Sequence, residues 1–126
     1  INGRYDLLVQ FDDGTHGVID VKMTDSKDED LNKFDRQLHA YKYALENPAE
    51  EEPMIISKMG LVIVSPTDIK PHQGYLYYKA KPTWKEIPIN MDKFFSFVNE
   101  MESLLEKPAP APSQTCAWCQ YKHGQI

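Results

Sequence analysis

Gly3-Arg4-Tyr5-Asp6-Leu7-Leu8-Val9-Gln10-Phe11, Asp12-Asp13-Gly14, Thr15-His16-Gly17-Val18-Ile19-Asp20-Val21-Lys22-Met23 is the stretch on which the fold turns. Its two arms are rich in β-branched and aromatic residues, and the middle is a turn sequence, so it reads as a β-hairpin. The length of the turn sets the register. A two-residue Asp13-Gly14 turn sets Asp6 opposite Val21. A three-residue Asp12-Asp13-Gly14 loop, with Gly14 left-handed, sets Asp6 opposite Asp20. Patterning selects the longer loop. It gathers Tyr5, Leu7, Val9, Phe11, Ile19, Val21 and Met23 on one face. The other face then carries Arg4, Asp6, Gln10, His16, Asp20 and Lys22, with Leu8 and Val18 between them. The shorter turn mixes the two sets, and a one-residue slip moves every side chain to the wrong face.

Outward from the hairpin, Thr24 to Asp30 is polar and acidic, and Ser26-x-x-Glu29 fits a capping box. Leu31, Phe34, Leu38, Tyr41 and Leu45 recur at spacings of three and four, which predicts a helix to about Glu46. Asn47-Pro48 stops it. Ala49 to Pro53 is an acidic loop. Ile55 to Val64 holds a strand centred on Gly60-Leu61-Val62-Ile63-Val64, whose unbroken apolar run suits a buried central position, and Ser65-Pro66 ends it. Gly74 to Ala80 and Trp84 to Ile89 read as two shorter strands, with Pro82 and Pro88 marking edges. Asn90 caps a second helix, Met91 to Lys107, with Phe94, Phe97, Val98, Met101, Leu104 and Leu105 inward. Pro108 to Pro112 is a stiff linker. The expected organisation is a core over 1–107 and a linker with a C-x-x-C tail over 108–126. The fold class is α/β, a mixed central sheet flanked by helices. The chain starts at Ile1 directly in a strand pattern, which reads as a piece of a longer protein.

The 126 residues carry a net charge of −5. That balance argues against nucleic-acid binding by broad electrostatic attraction, but not against an enzyme that clusters carboxylates around a cation. No apolar run reaches the length of a membrane span, and no signal peptide is visible. Two cysteines in one C-x-x-C make no disulfide framework, so an intracellular, reducing setting is expected.

Asp20-Val21-Lys22 places two polar side chains on one strand face, because side chains alternate. In the longer-loop register Asp6 joins them from the paired strand, with cross-strand Cβ atoms about 5 Å apart. Two carboxylates so close repel unless a cation lies between them, and Lys22 partly offsets the repulsion. Hard oxygen ligands favour Mg²⁺ or Mn²⁺ over zinc. D-x-K alone is a weak signal. It also occurs as Asp25/Lys27 in the polar stretch and as Asp68/Lys70 between Pro66 and Pro71, read as a loop. By residue type alone, a solvated strand face with an ion pair explains Asp20 and Lys22 as well as a metal site does. On the following helix Gln37 and Tyr41, four apart, share a face. A core tyrosine with a neighbouring glutamine is the plain reading of that pair.

Gly3-Arg4-Tyr5-Asp6, then Ile19-Asp20-Val21-Lys22, then Gln37-x-x-x-Tyr41, in this order and at these gaps, resemble the RecB-like branch of the PD-(D/E)XK nucleases. That branch includes CRISPR-associated RecB-like exonucleases, AddB-type helicase-nucleases and phage nucleases. The resemblance implies a restriction-endonuclease-like core and metal-dependent hydrolysis of DNA phosphodiester bonds, exonucleolytic in type. Asp6, Asp20 and the Val21 carbonyl would be the metal ligands. Lys22 would position or activate water, Gln37 would orient the site, and Tyr41 would contact the nucleic-acid backbone. Family members usually add a ligand from an upstream helix. The implied partners are single-stranded DNA or duplex ends, with proteins of a recombination or phage complex. The implied setting is bacterial or phage-encoded and cytoplasmic.

Cys116-x-x-Cys119, followed by Tyr121, resembles part of the cysteine group that holds an iron–sulfur cluster in several such nucleases. A [4Fe–4S] cluster needs four thiolates, so two suffice only within a longer parent chain. A zinc reading with His123 lacks a fourth ligand. A redox pair normally opens a helix after a strand. His16, His39, His72 and His123 share no spacing, and His39 reads as a surface or flank residue. Trp84 and Trp118 read as packing residues.

Overall fold

The computed structural model describes residues 3–24, 32–122 and 124. Asp25/Lys27, the Ser26/Glu29 capping box, Leu31 and His123 lie outside them. Contacts divide the chain into two compact units, residues 1–94 and 95–126.

The first unit is a four-stranded mixed sheet in the order β1 (Leu7–Gln10), β2 (His16–Met23), β3 (Ile56–His72), β4 (Tyr75–Glu86). The β1–β2 ladder pairs Leu7 with Ile19, Leu8 with Val18, Val9 with Gly17 and Gln10 with His16. This is the longer-loop register. Phe11 and Thr15 close the hairpin through a hydrogen bond of 2.8 Å, and Gly14 takes a φ of 80° between them. A β-carbon disfavours that conformation, which is why glycine occupies it. The Asp13 carboxylate accepts from the Thr15 main-chain N–H at 2.9 Å and from its hydroxyl at 2.7 Å. These bonds hold the Asp13 carboxyl below its ordinary pKa.

Between β2 and β3 the chain crosses over through a 3-10 turn, Asn32–Phe34, and helix α1 (Asp35–Glu46). β2 and β3 are therefore parallel, with Asp20 beside Leu61 and Lys22 beside Ile63. Asn47 ends α1, its side-chain amide and main-chain N–H both donating to the Tyr43 carbonyl.

The core comprises Val18, Leu38, Ile56, Met59, Leu61 and Ile87, with Leu8, Phe34, Tyr41, Leu45, Met54 and Ile63 packed against it. It lies on the sheet face that carries Leu8, Val18 and Asp20. The all-apolar face of the hairpin is the more open one. There Tyr5, Leu7, Val21 and Met23 are exposed. Val9, Phe11, Ile19 and Trp84 line a groove of about 290 Å³ on that side. The outer edge of the Trp84 ring lies against Gly60, where a β-carbon would sit 2.2 Å from it. The ring packs on Gly60 and is otherwise half-exposed.

Two expectations about the second hairpin are corrected. β3 does not end at Ser65-Pro66 but continues to His72, so Asp68 and Lys70 lie on a strand. The two short strands predicted after Gly74 are one strand, continuous through Pro82. The physical reason is lateral. β2 pairs with β3 only as far as Met23 opposite Val64. Beyond that point β3 has β4 as its only described neighbour. A strand paired on one side leaves alternate N–H groups unneeded, so Pro66, Pro71 and Pro82 are accommodated.

Asn90 caps helix α2 (Met91–Leu105), its side-chain oxygen accepting the Lys93 N–H at 3.0 Å. Phe94 is buried, but Met101, Leu104 and Leu105, expected inward, are exposed. In the second unit Cys116 and Cys119 are free thiols at the start of a short helix, α3 (Ala117–Lys122). The pair thus opens a helix, but one that follows a proline linker rather than a strand. Trp118 is exposed beside Tyr121, with ring centroids 5.9 Å apart, so the packing reading fails for it. Hydrogen bonds from Cys119 and Trp118 to Cys116 hold its thiol below the ordinary pKa. No helix of the described residues is long and apolar enough to cross a membrane.

Candidate active site

The β1–β2 ladder ends at Leu7 and Ile19. In an antiparallel ladder, residues alternate between facing the partner strand and facing away. Phe11 bonds Thr15 across this pair, so Val9/Gly17, Leu7/Ile19 and then Tyr5/Val21 are the positions that continue the bonding. At the last of these the chain bends instead, and the Asp6 carboxylate takes the place of a main-chain acceptor. Its Oδ2 accepts the Val21 N–H at 2.7 Å. Asp6 thus lies in a bend one residue outside the ladder, with its carboxylate turned to the β2 edge at Val21. The Val21 carbonyl faces the same edge, because the N–H and C=O of one strand residue point to one side.

Asp20 sits on the core face, 3 % exposed. Its Oδ2 is buried, and the Lys22 ammonium is its one partner among the described residues, at 2.6 Å. A carboxylate is costly to bury unless its charge is matched and its lone pairs are used. One ammonium matches the charge and leaves lone pairs over. Lys22 is also held from its other side, with Nζ 4.7 Å from the centre of the Phe34 ring. That cation–π contact fixes the lysine between helix entry and strand.

Gln37 and Tyr41 do face one another. The Gln37 amide donates to the Tyr41 hydroxyl at 2.7 Å. Among the described residues, the phenol O–H then has no acceptor and the amide oxygen no donor. Tyr41 also closes on the start of the chain: a β-carbon at Gly3 would lie 3.1 Å from its ring. The Gly3-Arg4-Tyr5-Asp6 segment, the strand pair and α1 are therefore joined at this edge.

The donor chemistry of these residues is of the kind that hard divalent cations take. The set comprises two carboxylates and one main-chain carbonyl, all oxygen, with the buried Asp20 Oδ2 partnered by Lys22 among the described residues. Among the described residues no three His, Cys, Asp or Glu side chains converge, so further positions would fall to water or to substrate oxygens.

Two arrangements went unread in the sequence. His39 is buried, not a flank residue. Its Nδ1 bonds the Asp35 carbonyl at 2.8 Å and its Nε2 accepts the Asn90 N–H at 2.9 Å, tying α1 to the start of α2. Lys42 is buried as well. Its ammonium donates to Glu46 at 2.5 Å and to the Ile56 carbonyl at 2.9 Å, while Glu46 accepts the Ile56 N–H at 2.9 Å. The pair anchors the entry of β3. The four-residue spacings Asp35/His39 and Lys42/Glu46 were the available signals.

The chain belongs to the PD-(D/E)XK nuclease superfamily, whose family model matches residues 1–123. The four-stranded mixed sheet flanked by helices is the restriction-endonuclease-like α/β fold of that superfamily. Its nucleases act on nucleic acid and generally use divalent metals such as Mg²⁺. No curated protein and no solved structure matches the chain.

Proposed function

We propose that this chain is a Mg²⁺- or Mn²⁺-dependent deoxyribonuclease of the RecB-like type. In this reading it is an exonuclease acting on single-stranded DNA or duplex ends in repair, recombination or phage and defence DNA processing. Residues 1–107 form the nuclease core. The observation that carries the reading is the buried Asp20 carboxylate, whose Oδ2 has only the Lys22 ammonium, at 2.6 Å, as a partner among the described residues. A purely structural ion pair on a strand face has no need of that burial.

Asp6, Asp20 and the Val21 carbonyl would hold the cation, which supplies Lewis-acid chemistry to water and phosphate when bound. Lys22, held by Asp20 and Phe34, presents its ammonium to the attacking water and to the charge that grows on the phosphate. Gln37 orients water through its free amide oxygen, and Tyr41 donates its O–H to the DNA backbone. Cys116 and Cys119 would complete an iron–sulfur site only with cysteines from a longer parent chain.

Titration with Mn²⁺ by calorimetry, followed by cleavage of single-stranded and duplex DNA, tests this. Lys22→Ala should lower the cleavage rate by about 10²–10³. Equal rates for wild type and Lys22→Ala in Mn²⁺ would leave a non-catalytic nucleic-acid-binding module on the same fold.

A further inference from the structure

Beyond Val64 the β3–β4 hairpin leaves the sheet as a two-stranded arm. Its eight further β3 residues, Ser65 to His72, span about 26 Å at ordinary strand rise. Gln73 and Gly74 close it, with φ of 49° and 80°. Two successive positive φ values define the tight hairpin turn that suits strand twist. The arm is exposed almost throughout, with Tyr75 at 69 % and Tyr77 at 55 %.

Register divides the arm into two unlike faces. Lys70 pairs with Tyr77 and His72 with Tyr75; nearer the sheet Thr67 pairs with Lys79 and Ser65 with Lys81. One face thus carries His72, Tyr75, Tyr77, Lys70, Lys79 and Lys81. The other carries Pro66, Pro71, Leu76, Tyr78, Ala80 and Pro82. The aromatic rings of the first face meet edge to face, His72 to Tyr77 at 6.0 Å and Tyr75 to Tyr77 at 6.5 Å. Residues 65–82 hold three lysines against one aspartate, in a chain of net charge −5.

The basic, aromatic face is also the site face. Asp20 lies beside Leu61 and Lys22 beside Ile63, and Ile63 pairs with Thr83. Alternation from Thr83 then runs through Lys81, Lys79, Tyr77 and Tyr75. The face that buries Asp20 therefore continues out along the arm, turning as a two-stranded ribbon twists.

We propose that this face of the arm binds single-stranded DNA, with bases stacking on Tyr75 and Tyr77 and phosphates meeting Lys70, Lys79 and Lys81, and leads the strand toward Asp20 and Lys22. Two exposed rings two residues apart suit unstacked bases, and a basic groove with aromatic platforms is how single strands are held without sequence preference. Asp68 opposes this. Its carboxylate lies 3.4 Å from the Lys70 ammonium and 3.9 Å from that of Lys79. Both contacts are exposed and weak, so phosphate can displace them. The proposal deepens the nuclease reading and rests on it for direction, but its test does not need cleavage.

The test is fluorescence anisotropy of labelled oligo-dT with the full chain in EDTA, across a range of salt. Lys70→Ala/Lys79→Ala/Lys81→Ala should weaken binding and make the slope of log K against log salt shallower by about 2. Tyr75→Ala/Tyr77→Ala should weaken binding about 10- to 100-fold with the slope unchanged. Asp68→Asn should tighten it. Circular dichroism melts matching wild type show that the fold is intact, since none of these side chains is in the core. Wild-type affinity in both arm variants, or no binding of oligo-dT by wild type, overturns the proposal. Equal affinity for a blunt duplex overturns its single-strand assignment. If the arm variants lose binding while Lys22→Ala still cleaves, the nuclease reading fails and the arm stands; unchanged binding with cleavage lost in Lys22→Ala is the converse.

Discussion

The two hairpins of the sheet are built from similar residues and end in opposite states. β1–β2 is short, shares its β2 strand with β3, and buries Val18 and Asp20 under α1. β3–β4 is long, and β3 has a neighbour on each side only in its first half. Leu61 in that half is fully buried, whereas Leu76 near the tip is 72 % exposed. Leucine content does not separate them. Lateral partners do, because a strand's apolar side chains are removed from water only where another layer reaches them. Leu61→Ala should therefore cost about 3 kcal/mol of unfolding free energy and Leu76→Ala less than about 0.5. Urea melts of the two variants measure the contrast, and equal costs would mean that the arm is packed in solution.

This contrast also explains what could be read from the sequence. The β1–β2 register was legible, because one-residue slips scramble two faces that Asp12-Asp13-Gly14 keeps apart. The central strand was legible from Leu61 to Val64, which are apolar without a break. The extent of the arm was not. Pro66, Pro71 and Pro82 are breakers in a strand paired on both sides, and nothing local to them says that β2 stops at Met23. The covered face was hidden for a related reason. Composition favours burying Tyr5, Leu7, Val21 and Met23, yet α1 lies over the face that carries Asp20. For the candidate site, spacing set Asp20 with Lys22 on one strand face and Gln37 with Tyr41 on one helix face, the family resemblance joined them with Asp6, and the structure adds how each is held. The bend at Asp6, the Phe34 ring under Lys22 and the contact of Gly3 with Tyr41 are tertiary and leave no periodic trace.

The buried half of β3 is secured at its entry by Lys42 and Glu46, whereas the ion pairs described for the arm, Asp68 with Lys70 and Lys79, are exposed. Lys42→Met should cost about 2 kcal/mol, since it removes charged hydrogen bonds to Glu46 and to the Ile56 carbonyl while Glu46 keeps the Ile56 N–H. Chemical denaturation reads it, and amide exchange at the start of β3 should quicken before the rest of the strand. A smaller effect belongs to the middle of the same half. Gly60→Ala forces the far edge of the Trp84 ring aside, and that ring is half-exposed and able to move. Overpacking is offset in part by the chain entropy that glycine gives up, so the net cost should be about 1 kcal/mol. Trp84 fluorescence should shift toward that of an exposed indole.

The hairpin ends supply the finest distinction. Gln73-Gly74 turns through its own φ values, whereas Asp12-Asp13-Gly14 also depends on a carboxylate bonded to Thr15. Because those bonds depress the Asp13 carboxyl in the folded chain, they favour the ionised folded form. Their contribution is fully present above the ordinary carboxylate pKa and is lost as pH falls through the depressed folded value. Protection of the Thr15 amide should therefore decline in acid along that titration, while protection at the Gly74 turn should not follow it. Asp13→Asn should abolish the pH dependence at Thr15, since the amide oxygen can still accept but does not titrate. Two-dimensional NMR with exchange readout separates the two turns, and parallel decline at both would assign the loss to the sheet as a whole rather than to the carboxylate.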